Sequence, residues 1–164
     1  MTLENYQLLT SRTNTDLGSK AINAAHVTLG IVGETQEFMN AVDDNEFRNG
    51  AEIEIFLEGG DSAWYISELA NLFDIELVPC DYYDFRESIG WTCENIKKYL
   101  AYNKEIDIIE LQKRLNSILF YIVETIENMQ YNFEDCLDAN ITKLQKRFPE
   151  KFSAELALAK GDEN

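Results

Sequence analysis

Glu34 and Glu37 are three residues apart, and so are Glu58 and Asp61. On a helix, residues i and i+3 project from one face about one turn apart. Each pair interrupts an apolar stretch: Val32 and Phe38 bracket the first, Leu57 and Trp64 the second. If the two segments are helices packed antiparallel through a short turn, four carboxylates converge. Carboxylates gathered in a partly apolar groove repel one another and hold their protons more tightly. A divalent cation relieves that repulsion, and an all-oxygen donor set suits a hard ion, Mg²⁺ or Mn²⁺. Glycines crowd the acids: Gly30 and Gly33 precede Glu37, and Gly59 and Gly60 lie inside the second pair. A glycine inside a helix costs roughly 1 kcal/mol relative to alanine. Four beside the acids point to close approach by backbone or ligand. The same acids could be solvated helix faces in an acid-rich chain, and spacing alone leaves both readings open.

Other chemistries fail on composition. The single histidine, His26, rules out a multi-histidine metal site within one chain. A di-iron bundle needs Glu-x-x-His, but Asn23 stands three residues before His26. An EF-hand loop ending its first half at Gly50 would place Phe47, which cannot ligate, at its third position. Nothing places His26 beside a nucleophile, and no GxxxxGK[ST] loop occurs. Cys80, Cys93 and Cys136 are odd in number and far apart, with no CxxC. They read as thiols of a reducing compartment.

The elements that must carry the acids read as helices. Only two prolines occur, Pro79 and Pro149, and the long stretches around them have helical spacing, so the expected class is all-α. The first helix is expected from about Lys20 to Val42, with Ile22, Ala25, Leu29, Val32 and Met39 as its apolar stripe. Asp43, Asp44 and Asn45 should end it, and Asn49-Gly50 should turn the chain. A second runs from about Ala51 to Ile75, with Ile53, Phe56, Leu57, Trp64, Leu69 and Leu72. A third covers Phe85 to Tyr102. A fourth covers Asp107 to Met129, striped by Ile108, Leu111, Leu115, Ile118, Ile122 and Ile126. The last runs from Phe133 to Arg147, before Pro149, and the chain after Lys160 should fray.

With 164 residues and 45% hydrophobic content, residues 1–164 suit a single domain with a sizeable core. The net charge of −16 repels phosphate backbones, so nucleic acid is not an expected partner. No apolar run is long enough to span a membrane. Met1 to Thr15 lacks a basic region followed by an apolar one, so no secretory signal is expected. A faint repeat pairs Leu29–Glu34 with Ile89–Glu94, and Trp64–Glu68 with Phe120–Glu124. On that pairing Lys97 takes the place of Glu37, and Arg114 that of Glu58. Residues 80–132 are then either a degenerate second hairpin or a helical insertion.

At the acidic pairs the sequence resembles the MazG-like, all-α nucleoside triphosphate pyrophosphohydrolases, a superfamily that includes the dimeric dUTPases and dCTP pyrophosphatases. Their signature is ExxE followed, after about a dozen to two dozen residues, by ExxD. Here Glu34-Thr35-Gln36-Glu37 precedes Glu58-Gly59-Gly60-Asp61 by 20 residues. Leu29-Gly30-Ile31-Val32-Gly33-Glu34 resembles the family's LGLxGE lead-in, and the run from Glu58 to Tyr65 its ELGDVLWY. Asn140 to Pro149 resembles its NIxKLxxRYP segment. Gln36 departs from the pattern, because a glycine is common there. Residues 80–132 are extra relative to a minimal member.

The resemblance implies a MazG-like bundle of about four to six helices. It implies hydrolysis of a nucleoside triphosphate, above all a deoxynucleoside triphosphate, between the α- and β-phosphates to a monophosphate and pyrophosphate. Glu34, Glu37, Glu58 and Asp61 would hold Mg²⁺ (or Mn²⁺) and carry the catalysis, with Glu34 a candidate general base. Lys143 and Arg147 share a helix face with Asn140, and the resemblance puts Asn140 and Lys143 near the substrate. Trp64, Tyr65, Phe38 and His26 are candidates for a base slot. Trp64 and Phe38 also suit core packing, and His26 a satisfied core histidine. A homodimer or homotetramer in the cytoplasm of a bacterium or phage-infected cell is the expected setting. The competing reading is a non-catalytic helical module that binds a nucleotide or a protein on the same fold.

Overall fold

A computed structural model describes residues 1–11, 16–47 and 50–147. Among these the chain forms six α-helices and no strand. They are α1 (Leu3–Thr10), α2 (Lys20–Phe47), α3 (Glu52–Leu72), α4 (Phe85–Tyr102), α5 (Ile108–Asn128) and α6 (Phe133–Arg147). Asn49, the stop at Pro149 and the tail after Lys160 lie outside the described residues.

Side-chain caps set several boundaries. Asp84 accepts from the Glu87 backbone N–H at 2.9 Å, and Asp107 from that of Glu110 at 3.0 Å, which starts α4 and α5. Asn103, left-handed at φ 51°, ends α4. Gly50, at φ 114°, supplies the turn between α2 and α3 that only glycine adopts freely.

α3 lies at the centre and packs against α1, α2, α5 and α6, while α4 spans α2 and α5. Its buried face is rich in small residues, Gly59, Gly60, Ser62, Ala63, Ser67 and Ala70, which lets four neighbours approach it. α5 buries Leu111, Leu115, Ile118, Ile122 and Ile126 completely, the stripe its spacing predicts apart from exposed Ile108. The segment between α3 and α4 is pinned to α5. The Val78 backbone N–H donates to Asn116 Oδ1 at 2.9 Å, and those of Tyr82 and Tyr83 donate to Ser117 Oγ at 3.2 and 3.1 Å.

Three expectations change. α2 continues through Asp43–Asn45 to Phe47, because acids are tolerated on its solvated side. Its core face is Ala24, Val27, Ile31, Phe38 and Ala41, not the expected stripe; Leu29 is 72% exposed and Ile22 46%. The apolar residues of α2 nearly encircle it, and its small and β-branched residues are the ones that admit α3. In α3, Ile53 is 65% exposed while Ile55 and Ile66 are buried. α1 was not expected at all. It has eight residues and buries only Tyr6 and Thr10, too little periodicity to read. No helix among the described residues is long and apolar enough to cross a membrane.

Candidate metal centre

α2 and α3 form an antiparallel hairpin around Gly50, which carries Glu34 and Glu37 to the level of Glu58. One carboxylate oxygen from each of the three lies within 4.8 Å of the others. Among the described residues none of the three has an ion-pair or hydrogen-bond partner. Such proximity of unpaired anions is unfavourable outside water. Glu34, half-buried, is pushed up to about 7, first by burial and then by Asp61, Glu37 and Glu58. Glu58 is raised for the same reasons, burial first.

Asp61, the fourth acid, is the charge that raises Glu34 and Glu58 most, and its own two oxygens are taken up by α6. Its Oδ1 accepts from Asn140 Nδ2 at 2.6 Å, and its Oδ2 is ion-paired with Lys143 Nζ. The packing of α3 against α6 thus brings Asn140 and Lys143 onto this carboxylate. Lys143 also draws the Glu34 and Glu58 values downward, by less than burial raises them. Among the described residues it is the cation that acts on both acids. Tyr65 is raised by burial, Glu34 and Asp61 and lowered by Arg147. Tyr65 thus borders the cluster, and Arg147 lies near Tyr65.

The glycines explain the approach. A Cβ on Gly30 would collide with the Tyr65 ring. On Gly59 it would meet Ile126 Cδ1 at 2.6 Å, and on Gly60 Asn140 Cβ at 3.0 Å. Helix α6 therefore reaches the acids through Gly60. Gly33 faces open space and needs no such clearance.

The remaining candidates do not join the cluster. Phe38 is fully buried, with its ring 6.4 Å from that of Tyr121, and is core. Trp64 packs against the core and stands edge-on to Tyr65 at 4.7 Å. His26 is exposed, so it is no core histidine, and it is not among the groups that shift Glu34. Two turns of helix separate it from Glu34.

One functional neighbour escaped the sequence. Tyr6 on α1 is completely buried, and its hydroxyl lies 2.8 Å from Asn140 Oδ1 and 3.2 Å from the Gly60 carbonyl. No spacing signal links residue 6 to residue 140, and α1 itself is not legible, so nothing in the sequence exposes this contact.

The second hairpin, α4 and α5, handles charge differently. Arg114 Nε donates to Glu110 Oε1 at 2.8 Å and its Nη1 to Glu87 Oε1 at 2.9 Å. Its guanidinium stacks 3.6 Å from the centre of the Tyr83 ring. Lys97 pairs with Glu94 on its own helix. The positions aligned with Glu37 and Glu58 are therefore not brought together here; Arg114 meets Glu87, two turns before Glu94.

No family model, no curated protein and no solved structure matches this chain.

Proposed function

We propose that the chain is a Mg²⁺-dependent nucleoside triphosphate pyrophosphohydrolase, cleaving a (deoxy)nucleoside triphosphate between its α- and β-phosphates. The observation that carries this reading is the cluster of Glu34, Glu37 and Glu58, within 4.8 Å of one another, with Asp61 and Lys143 beside it. The donor set fits a hard divalent ion: three carboxylates, no sulfur or nitrogen, and no ion pair to any of the three among the described residues. Such an ion supplies charge neutralisation and orientation for a polyphosphate. The resemblance of the flanking segments to MazG-like enzymes supports the same class.

The chain's own groups divide the work. Glu37 and Glu58 would hold the ion together with Glu34. Glu34 is the candidate general base toward the attacking water. Water adds to the α-phosphorus, the bond from that phosphorus to the bridging oxygen breaks, and pyrophosphate leaves. Lys143 and Arg147 supply the positive charge that a leaving pyrophosphate needs. Asn140 donates from its amide. Tyr65, half-buried against Gly30, is the aromatic ring beside the acids that would face the base. The proposed assembly is a homodimer or homotetramer, as the resemblance implies.

The test is pyrophosphate release from a panel of ribo- and deoxynucleoside triphosphates, with Mg²⁺ or with EDTA. Metal-dependent release with a monophosphate product establishes the class, and the ranking identifies base and sugar. No release by folded protein overturns the enzyme reading. Nucleotide binding without release then selects the non-catalytic module.

A further inference from the structure

Asn140 is 3% exposed, and its amide touches two groups of different character, the Asp61 carboxylate and the Tyr6 hydroxyl. A carboxylate only accepts hydrogen bonds. The amide must therefore present its NH₂ to Asp61 and its oxygen to Tyr6. The reverse orientation would set oxygen against a carboxylate oxygen at 2.6 Å. What holds the amide this way round is a donor on its other side. The Tyr6 hydroxyl is that donor, at 2.8 Å, and it is itself fully buried with no water to compete. We infer that Tyr6 is a positioning residue of the metal centre, acting through Asn140 to fix the Asp61 carboxylate beside the Glu34–Glu37–Glu58 cluster.

The relay runs from α1 through α6 to α3: Tyr6 O–H to Asn140 Oδ1, then Asn140 Nδ2–H to Asp61 Oδ1. With that oxygen committed to Asn140 and the other to Lys143, the carboxylate cannot swing freely. Its charge stays at a fixed distance from Glu34 and Glu58, both of which it raises. Gly60 is the hinge point of the arrangement. Its missing Cβ lets Asn140 close in at 3.0 Å, and its carbonyl is the second acceptor near the Tyr6 hydroxyl, at 3.2 Å. Tyr6 stands two hydrogen bonds from the Asp61 carboxylate, which adjoins the three acids; partners that orient the groups around a metal typically govern about 10- to 100-fold in metal affinity.

This inference rests on the metal reading of the acidic cluster, and its test separates the two. Mn²⁺ affinity is measured by electron paramagnetic resonance on wild type, Tyr6→Phe and Asn71→Ala. Asn71 ties α3 to α1 through the Gln7 carbonyl at 2.9 Å and Thr10 Oγ1 at 3.2 Å and lies outside the relay. Tyr6→Phe keeps the ring and removes only the donor. It should weaken Mn²⁺ about tenfold or more, while Asn71→Ala lowers the melting temperature and leaves Mn²⁺ affinity within about twofold of wild type. Equal affinity of wild type and Tyr6→Phe overturns the inference. So does an equal loss in Asn71→Ala, which would assign the effect to docking of α1 as a whole. The Asn140 side-chain amide resonance, read without metal, gives a second decision. It should be a single hydrogen-bonded signal in wild type and lose that shift in Tyr6→Phe; an unchanged signal overturns the relay. Absence of Mn²⁺ binding by wild type overturns the metal reading instead, and the amide resonance then still decides whether Tyr6 sets Asn140.

Discussion

The two long hairpins of this chain solve the same electrostatic problem in opposite ways. In α4 and α5, Glu87 and Glu110 meet across the buried Arg114, whose guanidinium satisfies both and is stacked on Tyr83. In α2 and α3, Glu34, Glu37 and Glu58 meet without an ion pair among the described residues, and Lys143 beside them is paired with Asp61. The second hairpin carries its own counter-charge and is complete as folded. On the proposed reading a divalent cation from outside completes the first. An unpaired acidic cluster costs stability in the metal-free chain, and the contrast with Arg114 shows that this same fold can avoid that cost.

The strongest way to break the contrast is to remove an acid from the first hairpin. Glu58→Gln should lower metal-dependent pyrophosphate release by roughly a thousandfold, equivalent to about 4 kcal/mol of transition-state stabilisation. The metal-free melting temperature should stay level or rise, because a repelling charge is gone. Activity equal to wild type would sink the catalytic role of the cluster. The converse change belongs to the second hairpin. Arg114→Ala strips the cation from Glu87 and Glu110 and the stack from Tyr83. Stability should fall by about 2–3 kcal/mol in urea unfolding, with Mn²⁺ affinity unchanged at temperatures where the variant is folded. If Arg114→Ala weakens Mn²⁺ and Glu58→Gln unfolds the chain, the assignment of the two hairpins is reversed.

How far this contrast was legible differs by element. α5 could be read because its stripe is strictly periodic and its other face is polar. α2 could not be oriented, because Ile22, Leu29 and Val32 are as apolar as the residues that face the core, and only packing chose between them. The acids were readable as two i, i+3 pairs. That the oxygens of Asp61 would be taken up by α6 was not readable, since their partners Asn140 and Lys143 lie about 80 residues later in the chain. The glycines were read as clearance for a close approach. Gly30, Gly59 and Gly60 do provide it, for Tyr65, Ile126 and Asn140, and Gly33 does not.

That last difference sharpens the first hairpin without touching its charge. Gly33→Ala meets only open space and should stabilise α2 by about 0.5–1 kcal/mol through helix propensity, with activity retained. Gly30→Ala must displace the Tyr65 ring and should destabilise by about 1–3 kcal/mol. Thermal melts of the two variants should move in opposite directions. Equal shifts would mean that the Tyr65 contact contributes nothing.

The smallest expected effect is the one that tests the charge account most directly. Glu34 takes up protons more readily in the folded chain than in the unfolded one, near 7 against the ordinary 4.5. Between those values the folded state holds more protons, so unfolding releases them, and metal-free stability must fall as pH rises from about 4.5 to 7. Burial is the first cause, followed by Asp61, Glu37 and Glu58, with Lys143 opposing them. Glu34→Gln should flatten that part of the curve. Mg²⁺, which binds the ionised carboxylates, should raise the melting temperature more at pH 7.5 than at pH 5. A wild-type stability that climbs through the window, or a Mg²⁺ effect independent of pH, would show that the first hairpin is not the uncompensated one.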